Sequence, residues 1–244
     1  MTGRVGRLPR VNPFSARFVE PGAVPYRLPG GAELGGFADR LRAAGGWGEL
    51  VGPHGSGKST LLACLLPLLS GWTVRRVRLS TSARALPADL WPLSGPRPLL
   101  VIDGFEQLGW LGRRRVVRAC RRAGAGLLVT THRPTGLPLL HRTDVTPETL
   151  AWVLNRLVPP ADRTVLAGFD PAARLRAHRG SLREVLFELY DRWEDLRAAC
   201  GVAPSSDTLG ETPLPRVDSC SRSPADPPAS APDRPAANSS GSAG

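Results

Sequence analysis

The sequence predicts a three-layer α/β fold, a parallel sheet between helices built around a phosphate-binding loop, with a helical segment after it. Three observations carry that expectation. Gly52-Pro53-His54-Gly55-Ser56-Gly57-Lys58-Ser59 fits the pattern G-x-x-x-x-G-K-[ST] at every constrained position. A short strand candidate runs straight into it and an apolar helix candidate leaves it, which is the context the pattern needs. Two further apolar runs, residues 98–102 (PLLVI) and 126–131 (GLLVTT), read as strands buried on both faces, as in a parallel sheet.

Taken in order, residues 1–31 are rich in Pro, Gly and Arg and read as an irregular arm. Residues 32–44 carry Leu34, Phe37 and Leu41 at helical spacing and stop at Gly45-Gly46. Residues 47–51 form the strand before the loop, and the helix begins at Lys58. Residues 73–79 (TVRRVRL) alternate enough for a second strand. The Pro-, Ser- and Ala-rich stretch 80–97 holds at most a short helix at 83–90.

A helix is expected over 107–123 and a last short strand at 143–145. A further helix is expected over 147–157, with Thr146 as N-cap and Pro147 in its first turn. Residues 161–199 read as helical, most clearly 181–199, where Leu182, Val185, Leu186, Leu189, Trp193 and Leu196 make a stripe. Residues 202–244 lack large apolar side chains and are expected to be disordered. The division is thus an arm (1–31), a core (32–145), a helical segment (146–200) and a tail (201–244).

With 41% hydrophobic residues the chain can bury a substantial core. The net charge of +11 suggests affinity for nucleic acid or another polyanion. The alternative is a coding bias toward Arg, since Lys58 is the sole lysine among 32 Lys plus Arg. Cys64, Cys120, Cys200 and Cys220 make no C-x-x-C pair, so reduced structural thiols are expected rather than a zinc site or disulfides. The first ten residues lack an apolar signal core, and the longest apolar run, residues 61–69, is less than half a membrane span. A cytoplasmic protein without a membrane segment is expected.

In a phosphate loop, Gly52, Gly55 and Gly57 permit backbone conformations and close approach that a Cβ obstructs. The exposed N–H groups then face the anion, helped by the N-terminus of the next helix. Lys58 is expected to bridge the β- and γ-phosphates, Ser59 to hold Mg²⁺ and Thr60 to lie near the α-phosphate, with Pro53, His54 and Ser56 completing the cradle. Asp103 ends the run Leu99-Leu100-Val101-Ile102, and a carboxylate at the edge of a buried strand can reach the Mg²⁺ shell. Its plain alternative is a turn cap before Gly104. Hydrolysis needs a group to orient water, and Glu106 is the candidate, against the alternative of an exposed Glu in a helix's first turn.

These pieces, together with LLVTTHR (127–133) and GSLREVLFELY (180–190), resemble the additional-strand P-loop ATPases, specifically the AAA+ and STAND-like group. The resemblance covers roughly residues 46–195. It implies a sheet in which one strand lies between the two nucleotide motifs, and a small helical lid after the core. It further implies that Thr130 or Thr131, Thr131 being preferred, is a polar sensor near the γ-phosphate, and that Arg183 is a sensor arginine in the lid. ATP and Mg²⁺ follow as ligands and ATP hydrolysis as the activity. In such ATPases a catalytic Glu commonly follows the Asp directly, whereas Gly104 stands there in this chain.

Arg113, Arg114, Arg115, Arg118, Arg121 and Arg122 cluster on one predicted helix, with 114, 118, 121 and 122 largely on one side. That ridge suits phosphates of DNA or RNA, or an acidic protein partner; the alternative is the wet face of an outer helix. A homo-oligomer stays open on family analogy. Two rivals to the ATPase stand: a small-molecule or nucleotide kinase, and a nucleotide-binding scaffold without turnover.

Overall fold

The computed structural model describes residues 11–28 and 33–200. The expected tail at 201–244 and residues 1–10 and 29–32 of the arm and its junction lie outside them. All described residues belong to one compact unit. Five strands, β1 (Trp47–Val51), β2 (Thr73–Arg78), β3 (Pro98–Asp103), β4 (Gly126–Thr131) and β5 (Leu139–Arg142), form a parallel sheet in the order β2-β3-β4-β1-β5. The fold is the three-layer P-loop architecture. β4 lies between β1, which feeds the phosphate loop, and β3, which ends in Asp103.

The period-2 alternation of strands explains the layers. Leu99, Val101 and Leu128 face one side, where they pack on α2 (Gly35–Ala43) through Phe37 and Leu41 and on α3 (Lys58–Leu65) through Leu61, Leu62 and Leu65. Leu100, Ile102, Leu127 and Val129 face the other side, against Val116 and Cys120 of α4 (Trp110–Arg122). β4 is buried along its whole length, which is why it carries no alternation of polar residues.

A third cluster joins the helices α5 (Pro147–Leu157), α6 (Pro171–Ala177) and α7 (Leu182–Ala199) around fully buried Trp193. This is the helical lid. The Thr146 hydroxyl accepts from the Thr149 N–H at 3.2 Å, the expected N-cap of α5. The arm is not free of this unit. Its α1 (Ala16–Val19) is short, while Phe14 meets the Trp193 ring edge-on at 6.3 Å and Asn12 Nδ2 donates to the Tyr190 carbonyl at 3.1 Å.

Several expected elements shift. The last strand is β5 at 139–142, not 143–145: Thr143 donates its N–H to the Val51 carbonyl at 2.7 Å, so pairing with β1 runs on as the chain leaves the strand. The helix expected at 83–90 shrinks to a 3-10 turn, Ala88–Leu90: Pro87 lacks an N–H and disfavours helical backbone in the residue before it. The helix expected at 107–123 begins only at Trp110: Gln107 closes a 3-10 turn, Phe105–Gln107, and Leu108 and Gly109 leave the helical region before α4 starts. The helical region 161–199 comprises a 3-10 segment, Pro160–Leu166, then α6 and α7. Among the described residues no helix is long and apolar enough to cross a membrane.

Candidate functional site

The phosphate loop takes the conformation its glycines allow. Gly55 and Gly57 sit at φ +73° and +87°, a region that disfavours any side chain. Gly52 is needed for space: a Cβ there would lie 2.6 Å from the Thr143 carbonyl oxygen and 2.8 Å from Ser56 Oγ. Ser56 is buried, donating to or accepting from Thr143 Oγ1 at 2.6 Å, so it braces the loop against the residue that follows β5. Pro53 and His54 are exposed on the loop's outer side.

Lys58, the first residue of α3, is buried, and its ammonium donates to the carbonyls of Gly52 at 2.8 Å and Pro53 at 2.6 Å. Burial lowers its pKa, while the Glu106 and Asp103 carboxylates push it back up. Both acids therefore converge on the ammonium. The carbonyl bonds hold the charge over the loop, where phosphate oxygens would compete for it as stronger, ionised acceptors.

Two strand spacings, about 10 Å, separate β1 from β3. Ser59 and Thr130 close that gap. Asp103 Oδ1 accepts from Ser59 Oγ at 3.0 Å and from Thr130 Oγ1 at 2.7 Å, and Thr130 Oγ1 in turn accepts from the Gly104 N–H at 2.8 Å. Asp103 Oδ2 is buried without a hydrogen bond, with Arg76 Nη2 at 3.9 Å. A carboxylate oxygen left over beside a serine hydroxyl is a donor set of hard oxygens, and it fits Mg²⁺. Ser59 and Asp103 are the residues that would hold the ion.

Glu106 stands one short turn beyond Asp103. Its Oε1 lies 3.1 Å from His132 Nε2, and its Oε2 is buried without a hydrogen-bond partner. His132 follows β4 directly, and its ring packs edge-on to His54 of the loop at 5.7 Å. Burial lowers the His132 pKa, Glu106 opposes that, and Lys58 and His54 add to it. The two side chains meet where β3 and β4 end, and one Glu106 oxygen is left for a further donor. Neither His132 nor its pairing with Glu106 was legible beforehand, because a single His carries no motif.

The two threonines divide. Thr130 faces α3 and binds Asp103, whereas the Thr131 hydroxyl donates to the Arg133 carbonyl at 2.9 Å. Period-2 alternation puts neighbours on opposite faces, so the sensor expected at Thr131 stands one residue from the side chain that meets the carboxylate. Arg183 is exposed in the first turn of α7, its guanidinium 5.3 Å from the Phe187 ring. Its Cβ lies 3.3 Å from where a Gly55 Cβ would stand, and the same added atom would strike Ser181 Oγ. The lid helix therefore begins directly against the phosphate loop.

An apolar pocket opens behind Ser56, Gly57 and Thr60, lined by Val24 and Tyr26 of the arm, Trp152 of α5 and Leu182 and Leu186 of α7. Burial, with help from Asp144, pushes the Tyr26 phenol up to about 12, so it stays protonated and can donate. A pocket of this chemistry beside the loop suits a flat, largely apolar ring carrying a few polar atoms. Sequence reading passed over these residues because they come from three segments far apart in the chain.

The arginine ridge is exposed along α4, but it runs away from the loop: Arg113 binds the Glu106 carbonyl at 3.1 Å, while Arg121 lies 5.6 Å from the Trp47 ring at the start of β1. Among the described residues, no ion pair involves Arg114, Arg118, Arg121 or Arg122.

No protein-family model matches the chain, and no curated protein matches it. Solved structures resembling it include a RuvB variant from Thermotoga maritima, at 16% identity and a TM-score of 0.44. The likeness covers 70% of this chain and 62% of that one. A similarity at that distance carries no functional weight, and the P-loop architecture rests on the sheet order and the loop themselves.

Proposed function

We propose that the chain binds ATP with Mg²⁺ and hydrolyses it slowly, as an AAA+-like nucleotide switch of the additional-strand P-loop group. The observation that carries this reading is the Ser59–Asp103 hydrogen bond across β4, with an Asp103 oxygen that makes no hydrogen bond beside it. Lys58 would exchange its loop carbonyls for β- and γ-phosphate oxygens, while the loop N–H groups from Gly55 to Thr60 cradle the phosphates. The base would enter the pocket between arm and lid. Bound at Ser59 and Asp103, Mg²⁺ would neutralise charge on the β- and γ-phosphates.

Glu106 would take the proton of the attacking water as its oxygen bonds to the γ-phosphorus and the bond to the ADP oxygen breaks. Arg183, at the edge of the loop, would add positive charge to the γ-phosphate and tie lid position to nucleotide state. Thr131 would act one step removed, through the 131–133 turn that positions His132. Coupling to nucleic acid through Arg114, Arg118, Arg121 and Arg122, a cytoplasmic setting and a protein that reads the switch belong to the same proposal.

A scaffold without turnover is the second reading. It is favoured by Gly104 directly after Asp103 and by the engagement of Glu106 with His132. The test is ATP binding and phosphate release by the full chain against Lys58→Ala and Glu106→Gln. Loss of binding in the first and retained binding without release in the second support the switch. Wild-type binding without release selects the scaffold, release at the unmodified rate by Glu106→Gln removes that residue's role, and binding indifferent to Lys58 ends the proposal.

A further inference from the structure

We infer that the outer face of α4 is a binding surface for a single nucleic-acid strand, with Trp110 as its stacking platform and Arg113 as its link to the nucleotide site. Trp110 is 64% exposed and Leu111 59% exposed, both large apolar side chains left in water on the first turn of a buried-faced helix. Exposed tryptophan beside guanidinium groups is the pairing that binds unstacked bases, whose π-faces are available only when the strand is single. Arg114 already stacks on that indole, its guanidinium 4.5 Å from the ring centroid, and the ring keeps its exposure regardless.

The rest of the face follows a phosphate backbone. Arg114, Arg118 and Arg122 stand one helical turn apart, about 6 Å per step, and Arg115 and Arg121 flank them. α4 contains no acidic residue, so its charge is not neutralised internally. Every charged or polar group along it is a donor.

Arg113 connects this face to the site. Its Nε donates to the Leu108 carbonyl at 2.8 Å and its Nη2 to the Glu106 carbonyl at 3.1 Å, so the turn bearing Glu106 is tied to the first turn of α4. A strand seated on Trp110 and Arg114 would bear on the neighbouring Arg113 and, through it, on the backbone of Glu106. The link rests on the switch reading above; the surface does not.

The test uses the full chain without nucleotide and the fluorescence anisotropy of labelled dT15, rU15 and a 15-base-pair duplex between 50 and 200 mM NaCl. Wild type should bind dT15 and rU15 tighter than the duplex. Trp110→Ala should weaken dT15 about tenfold, within the range of one lost stacked base, with duplex binding unchanged and Trp110→Phe restoring most of the loss. The double variant Arg118→Ala, Arg122→Ala should weaken all three ligands and flatten the dT15 salt slope by about 1.4. Unchanged dT15 binding by Trp110→Ala, or a preference for duplex, overturns the surface. Equal displacement of dT15 by a polyglutamate peptide assigns the face to an acidic protein and overturns it too. With ATP present, dT15 should raise phosphate release; Trp110-dependent binding that leaves release unmoved overturns the Arg113 link alone. ATP binding lost in Lys58→Ala while dT15 binding persists keeps the two sites distinguishable.

Discussion

Thr130→Val removes one oxygen from the point where the two nucleotide motifs meet and leaves the shape of the side chain almost unchanged. Thr130 is 1% exposed, so no water can replace the missing hydroxyl. Two bonds disappear: the 2.7 Å donation to Asp103 and the 2.8 Å acceptance from the Gly104 N–H. A bond to a charged acceptor contributes about 1.5–3 kcal/mol and a neutral one about 0.5–1.5 kcal/mol. The added methyl returns about 0.8 kcal/mol of burial. The net loss should be about 1–4 kcal/mol. With a urea m-value of about 2 kcal/mol/M, the midpoint should fall by about 0.5–2 M at constant m. Thr131→Val forfeits only its 2.9 Å bond to the Arg133 carbonyl and should shift the midpoint by less than half as much. Equilibrium unfolding in urea, followed by tryptophan fluorescence, measures both. Equal shifts for the two variants, or a Thr130→Val loss below about 0.5 kcal/mol, would refute the idea that Thr130 joins Asp103 to the sheet.

Gly52→Ala should cost about 1–3 kcal/mol and abolish ATP binding, because the new Cβ would press to 2.6 Å on the Thr143 carbonyl; calorimetry of the apo protein and nucleotide titration read the two effects. His132 and His141 both have pKa values lowered from 6.5 by burial, so the unfolded chain takes up their protons first as pH falls. Their contribution is therefore fully present above about pH 6.5 and is lost as pH falls through the lower folded values. The urea midpoint should drop between pH 7.5 and 5.5, less steeply in His132→Asn, His141→Asn; an identical slope in that variant contradicts the assignment. Cys120, fully buried and with its thiol pushed up to about 12, should react with an aromatic disulfide reagent only as fast as the protein opens. Cys120→Ser should remove that slow phase and leave the reaction of exposed Cys200 intact.

The phosphate loop, the Asp103 strand and the buried strand after it were readable in the sequence because each is a local pattern. Eight consecutive residues set the loop's backbone, and continuous apolar runs leave little choice but burial on both faces. The N-cap of α5 was legible for the same reason, with donor and acceptor three residues apart. What local patterns cannot contain is distance. That Thr130 rather than Thr131 meets Asp103 depends on which face of β4 turns toward α3, a choice made by packing across three strands. The pairing of His132 with Glu106 joins the ends of β3 and β4, and the apolar pocket draws on residues from 19 to 186. Sequence alone determined the phosphate loop, since backbone conformation there follows from glycine spacing. Tertiary structure alone decided which side chains surround it, because long-range contacts are set by the order of strands and the burial of their faces.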